Sequence, residues 1–222
     1  MVDRRFSRNI GAISEREQEK LGRSAAGIVG LGGTGAPAFE ALVRAGVGKF
    51  IIFDKDRYEL SNFNRQIYAD RKSEGRWKAD VALERAVAIN PAVRVERHSV
   101  QLDGITAAKL KNCGVVVDCT DSVGARKVAA AFCRKNKIPY VFCSAGGSRG
   151  IVGVFDGADF EGIFGGARET KGKHILAPAA IVAGALSASQ ALCVLLGKKC
   201  VKAPEFIFFD LFSERVFWKQ KV

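Results

Sequence analysis

The sequence predicts a doubly wound α/β fold: a mostly parallel, Rossmann-like sheet with an antiparallel addition near the C-terminus. Three observations carry this expectation. Short apolar runs alternate with helical patterns from Ala25 to Ser144, and strands joined by crossover helices at that spacing pair in parallel. A glycine-rich turn, Gly30-Leu31-Gly32-Gly33-Thr34-Gly35, lies directly behind the first strand and opens a helix. Finally, 222 residues at 48% hydrophobic and 26% charged can bury a core without disulfides or metals. One domain is expected over 1–222, with an N-terminal arm at 1–24 and a crossover loop at 156–174.

The elements follow in order. Ala25 to Leu31 reads as a strand, and a helix runs from about Pro37, where proline is tolerated in a first turn, to the stop at Gly46 and Gly48. Phe50 to Phe53 is a second strand, followed by a polar stretch from Asp54 to Ser73. A helix from about Arg76 to Ile89 stops at Asn90-Pro91, and Val93 to Val100 reads as a strand. A helix ending at Cys113, a strand from Val115 to Asp118, a helix from Val123 to Asn136 and a strand from Tyr140 to Ser144 complete the alternation. Ile151 to Phe155 is a further strand, and Asp156 to His174 is glycine-rich and irregular. Phe206 to Phe209 and Arg215 to Trp218 close the chain as a hairpin.

Ile175 to Gly197 carries no charge and is long enough to span a bilayer. Pro178, Ser187, Ser189 and Gln190 interrupt it, so it is read as a buried core helix, with no membrane partner. The N-terminal residues are polar, carry Arg4, Arg5 and Arg8, and do not form a secretory signal. The six cysteines include no CxxC pair, and the two histidines lie far apart, so no zinc site is expected. Most cysteines sit in apolar stretches, as small buried residues of a reducing cytoplasm do. The net charge of +12 favours anionic partners such as nucleotides, nucleic acid or an acidic protein. The basic residues are scattered (Arg71, Lys72; Arg134, Lys135, Lys137; Lys198, Lys199, Lys202) and form no single stripe in the sequence.

The glycine loop fits G-x-G-x-x-G, in which glycines let backbone approach a phosphate at a helix N-terminus. Asp54 follows Gly35 by nineteen residues at the end of the second strand, where a carboxylate can accept from ribose hydroxyls. The alternative is a turn that merely permits tight helix–sheet packing. The pattern does not separate ATP from NAD, but no G-K-[ST] occurs, which excludes an ordinary P-loop. The block Ser61-Asn62-Phe63-Asn64-Arg65-Gln66 and the following Lys78 supply cations for a triphosphate. Arg76 and Lys78 fall in the first turn of their helix, where the dipole disfavours positive charge unless an anion neutralises it.

These stretches, with Arg44-Ala45-Gly46-Val47-Gly48, Asp54-Lys55-Asp56, Ile89-Asn90-Pro91 and Asp118-Cys119-Thr120-Asp121, resemble the adenylation domain of ubiquitin-activating-type enzymes, the ThiF/MoeB/HesA group. The resemblance runs in order from about Phe6 to Val222. It implies ATP and Mg²⁺ at this site and attack by the C-terminal glycine carboxylate of a ubiquitin-like or sulfur-carrier protein on the α-phosphate. It implies that Gly30, Gly32, Gly33 and Gly35 form the phosphate loop and that Asp54 and Asp56 lie at the ribose. Ser61, Asn62, Asn64, Arg65, Gln66 and Lys78 would serve the phosphates, and Asp121, beside Ser122, would position Mg²⁺. Arg8 resembles an arginine that reaches the triphosphate across a homodimer; it reads equally as a surface charge. Asp121 has an alternative role as N-cap of the helix starting near Val123.

Two departures from the group matter. There is no zinc site, and the crossover loop holds no cysteine, so adenylation without a covalent thioester is expected. Asp121-Ser122-Val123 and Cys133-Arg134-Lys135-Asn136-Lys137-Ile138-Pro139 resemble the tRNA threonylcarbamoyladenosine dehydratases, which adenylate a carboxylate on tRNA. That reading, an inert nucleotide-binding subunit of a heterodimer, and a NAD-dependent oxidoreductase stand as alternatives, in that order.

Overall fold

Eight strands make one sheet in the computed structural model, which describes residues 3–166 and 174–222. In chain order they are β1 (Ala25–Val29), β2 (Lys49–Phe53), β3 (Arg94–His98), β4 (Val115–Asp118), β5 (Tyr140–Gly146), β6 (Arg149–Phe155), β7 (Glu205–Asp210) and β8 (Phe217–Lys221). Their spatial order is β3-β2-β1-β4-β5-β6-β7-β8. The first five are parallel and the last three pairings antiparallel. The alternation of apolar runs and helices accounts for the parallel half, because β1, β2 and β4 are buried on both faces and read as near-continuous apolar runs.

Helices cover both faces. On one side lie α1 (Glu15–Arg23), α2 (Gly35–Ala45), α3 (Lys78–Ile89) and α6 (Ala177–Leu196), packed into a core with Phe39, Leu42, Phe50 and Ile52. On the other lie α4 (Val123–Asn136), α5 (Phe160–Phe164) and a 3-10 helix over Thr106–Asn112, around Phe53, Val116, Tyr140 and Phe142. By length and composition α6 could cross a membrane, with mean hydropathy 2.0, yet half of that window is buried inside the fold. It packs on α2, β4, β5 and β6, as a core helix does.

Several boundaries differ from expectation. The N-terminal arm contains α1, which the polar composition concealed: Ser14 and Glu17 form a reciprocal capping box, and Leu21 anchors one turn in the core. The segment ending at Cys113 is a 3-10 helix rather than an α-helix. Within the irregular stretch after Asp156, α5 forms because Phe160 and Phe164 join a ring cluster with Phe142, Phe155 and Phe206. The rest of that crossover loop, 167–173, lies outside the described residues. All the cysteines are reduced, and Cys113, Cys119, Cys133 and Cys143 are buried.

Candidate active site

The strand order reverses between β1 and β4, and a cavity of about 430 Å³ opens at the C-terminal ends of these strands. That crevice is where doubly wound sheets bind ligands. The glycine loop floors it. Gly30 has φ +88°, and a Cβ there would sit 2.9 Å from the Cys119 backbone. Gly35 does not line the cavity; it lets α2 meet the strand end, since a Cβ would fall 1.9 Å from the Gly30 carbonyl oxygen. Gly32 and Gly33 line the cavity itself. Thr34, the N-cap of α2, turns its hydroxyl to the Cys119 carbonyl at 3.4 Å and makes no side-chain cap, leaving the helix start open to an anion. Gly35→Ala is expected to lower stability by about 1–3 kcal/mol through this overlap. Gly32→Ala, with only the Gln66 amide 3.6 Å away, should melt close to the parent protein.

Asp54 ends β2 and is buried. Its carboxylate accepts from the Leu31 N–H at 2.6 Å and the Asp56 N–H at 2.8 Å, which ties the glycine loop to the second strand. Burial pushes its carboxyl above the usual range, with Lys78 pulling the other way. Lys78 opens α3, its side chain only 7% exposed, and its Nζ lies 3.3 Å from Asp56. Both face the same cavity as Asp54, Arg65 and Gln66. Arg76 is not in that first turn: Trp77 is the N-cap of α3, and Arg76 pairs with Glu84. Of the two cations expected at this helix start, Lys78 alone reaches the site.

The polar block after β2 divides by role. Arg65 and Gln66 line the cavity, whereas Ser61, Asn62 and Asn64 do not. Asn62 is buried and closes a 3-10 turn by accepting from the Glu59 N–H at 3.2 Å. Arg65 donates to the Ser61 carbonyl at 2.7 Å and to Asn64 Oδ1 at 2.8 Å. The three residues outside the cavity thus shape the turn that presents the Arg65 guanidinium to it, and Arg126 lines the cavity from α4.

Asp121 and Ser122 also line the cavity. The helix cap belongs to Ser122, whose Oγ accepts from the Ala125 N–H at 3.3 Å, so the alternative offered for Asp121 falls to its neighbour. Arg8 does not line the cavity of its own chain. It lies in a 3-10 helix, Arg4–Asn9, that packs at the C-terminal end of α2: Phe6 touches Gly46 and Asn9 bonds the Ala45 carbonyl.

One group escaped the sequence reading. Beneath the Asp121 loop, fully buried Asp118 accepts from Arg126 Nε at 2.8 Å, from the Thr120 N–H at 2.9 Å and from the Tyr140 hydroxyl. Arg126 also donates to the carbonyls of Thr120 and Cys143. An acid ending a strand of valines was the available signal. Cys119 and Cys143, cross-strand neighbours at this point, are both buried, and the Cys119 thiol is pushed far up by its contact with Cys143 and by burial.

A glycine loop at the switch point, an acid at the end of β2 and converging Arg65, Lys78 and Asp121 define a doubly wound nucleotide-site protein. The chain belongs to the ThiF family, whose pattern matches residues 6–221. It is 34% identical over 216 residues to a sulfur carrier protein adenylyltransferase of Thermus thermophilus, covering 89% of this chain and 79% of the relative. It is 39% identical over 127 residues to the tRNA threonylcarbamoyladenosine dehydratase of Escherichia coli, covering 56% of this chain and 47% of that protein. The solved structure of E. coli MccB with ATP shares the fold, with TM-score 0.84 and 20% identity over 99% of this chain and 72% of that one.

Proposed function

We propose that this protein uses ATP to adenylate the C-terminal carboxylate of a ubiquitin-like sulfur carrier ending in glycine. The carboxylate oxygen bonds to the α-phosphorus as the bond to the β-phosphate oxygen breaks, giving an acyl-adenylate and pyrophosphate. The observation that carries this reading is the convergence of Arg65, Lys78 and Asp121 on one cavity floored by an uncapped helix start. Two anions must approach each other, so the barrier is electrostatic. Fixed cations lower it without a nucleophilic side chain.

Asp121 suits Mg²⁺. No cluster of three metal-binding side chains occurs among the described residues, but Mg²⁺ bound to a nucleotide takes one or two carboxylates and completes its shell with phosphates and water. When bound it would neutralise charge on the phosphates. Asp54 would orient a ribose, and Lys78, buried beside it, would hold a phosphate; both line the cavity. We further propose a homodimer in the cytoplasm. The exposed side of α6, with Ile181 40% exposed and Ala185 beside it on the next turn, offers an apolar contact face, and only a second copy could bring Arg8 to a nucleotide.

The test is pyrophosphate exchange in the presence of candidate carriers. Exchange that requires the carrier's terminal glycine supports the reading; exchange driven by threonylcarbamoyl-tRNA instead would favour the dehydratase reading, which the Asp121-Ser122-Val123 resemblance and the E. coli relative support. Mg·ATP at a hundred times its dissociation constant should stabilise the protein by about 2.7 kcal/mol, and NAD should not. Because Cys119 and Cys143 are buried, Cys119→Ala and Cys143→Ala should each retain adenylation. A reductant-sensitive carrier conjugate lost in either variant would contradict a mechanism without a thioester.

A further inference from the structure

Basic residues far apart in the chain meet at the end of the parallel sheet opposite the cavity. Lys49 opens β2 and Arg94 opens β3, and the two are register partners on adjacent strands. The Lys49 N–H donates to the Ser24 carbonyl at the entry to β1, and Gly114 donates to Ala25 at the entry to β4. Lys111 lies in the last turn of the 3-10 helix just before that entry. Lys135 and Lys137 end α4, whose following Pro139 carbonyl accepts from Val116. All five cations are exposed, and none has an ion-pair partner among the described residues.

The neighbouring part of the molecule is balanced differently. Arg134 pairs with Asp159, Lys127 with Glu161 and Lys202 with Asp156. Helix-dipole stabilisation accounts for Lys135 at the end of α4. It does not account for Lys49 and Arg94, which begin strands side by side, where like charges destabilise.

We propose that this row is a docking surface for the phosphate backbone of a nucleic acid. From β3 to β5 it extends about 19 Å at the usual strand spacing, and it lacks an apolar centre. Of the most exposed large hydrophobics, Phe212 and Leu60 belong to other segments, and Ile105 lies at the opposite end of the 3-10 helix from Lys111. A protein partner would use a desolvated apolar core with charges at the rim, whereas phosphate contacts need only cations and read no sequence. The row lies about 16 Å from the nucleotide cavity, the length of a five-residue strand. It therefore acts independently of adenylation, and its test does not depend on that reading.

Fluorescence anisotropy of the full chain with labelled short RNA duplex, DNA duplex and single-stranded RNA tests this. Both duplexes should bind, with log K falling against log salt by about 0.9 for each phosphate neutralised. Lys49→Glu/Arg94→Glu should weaken binding at least about tenfold and reduce the salt slope by about 2. Lys111→Glu/Lys135→Glu, a second exposed pair, should weaken binding alike; Lys49→Glu/Arg94→Glu should melt close to the parent, and the second variant should melt a few degrees lower at most, through the lost helix-dipole contact of Lys135. Arg65→Ala should bind nucleic acid as the parent does. Preference for RNA over DNA would support the docking surface and identify the ligand through its 2′-hydroxyls. Undiminished binding in both charge-reversed variants, no binding at low salt, or equal binding of polyglutamate would overturn the proposal, the last pointing to an acidic protein.

Discussion

Arg65→Ala is expected to lower pyrophosphate exchange by at least about a hundredfold while leaving the melting temperature close to that of the parent. Removing one preorganised donor to developing charge costs roughly 10²–10³ in rate. The side chain contributes little to the core, because among the described residues its guanidinium bonds only to the Ser61 carbonyl and to Asn64 beside it. A change of that kind at a half-exposed position stays within about 0.5 kcal/mol of parent stability. Arg65→Lys keeps the charge but loses the planar fork, so it should fall between parent and alanine. Asp121→Ala should be comparably inactive through a different route: loss of apparent Mg²⁺ affinity in calorimetric titration with ATP. Full exchange in the Asp121→Ala protein would remove the metal role proposed for it. Loss of folding in Arg65→Ala would mean that the turn over Ser61 to Asn64 depends on the guanidinium more than its hydrogen bonds indicate.

Much of this site is legible in the sequence because its signals are local. The G-x-G-x-x-G turn, the acid at the end of β2 and the limits of β4 and α4 each depend on residues adjacent in the chain, and the structure has β4 at Val115–Asp118 and α4 at Val123–Asn136 as read. What escaped depends on tertiary contact. α1 is stable because its single apolar stripe docks under a capping box, and a polar composition hides such a stripe. Arg76 drops out because Glu84, a residue of α3 itself, captures it. The division of Ser61 to Gln66 into residues that hold and residues that face the cavity follows from turn geometry, which spacing alone does not fix. The basic row is invisible in the linear sequence for the same reason. The strands that gather it are dozens of residues apart.

Loss of Arg126 should be the most damaging substitution to the fold. Asp118 is fully buried, and Arg126 is its only charged partner among the described residues. Arg126→Met would leave a carboxylate without compensation, and breaking such a pair costs about 3–5 kcal/mol. In a chain of this length that corresponds to a fall in Tm of roughly 6–20 °C. Adding Asp118→Asn should recover part of the loss, because an uncharged amide can accept from the Thr120 N–H through its oxygen and donate through its NH2 to the Tyr140 hydroxyl. The pH dependence follows from the same balance. Burial raises the Asp118 carboxyl and Arg126 pulls it down, so removing Arg126 raises it further. A carboxyl raised in the folded state favours folding below its unfolded pKa of about 3.9, and that contribution is lost as pH rises through the folded value. The variant should therefore be closest to its parent in stability in acid and fall away towards neutral pH. A deficit that is constant with pH, or a double variant less stable than Arg126→Met alone, would show that packing over the Phe142 ring, 4.7 Å from the guanidinium, outweighs the charge. The consequence for catalysis is specific. Arg126 and Asp118 together hold both the N–H and the carbonyl of Thr120, the residue before Asp121, so the variant that restores stability need not restore exchange.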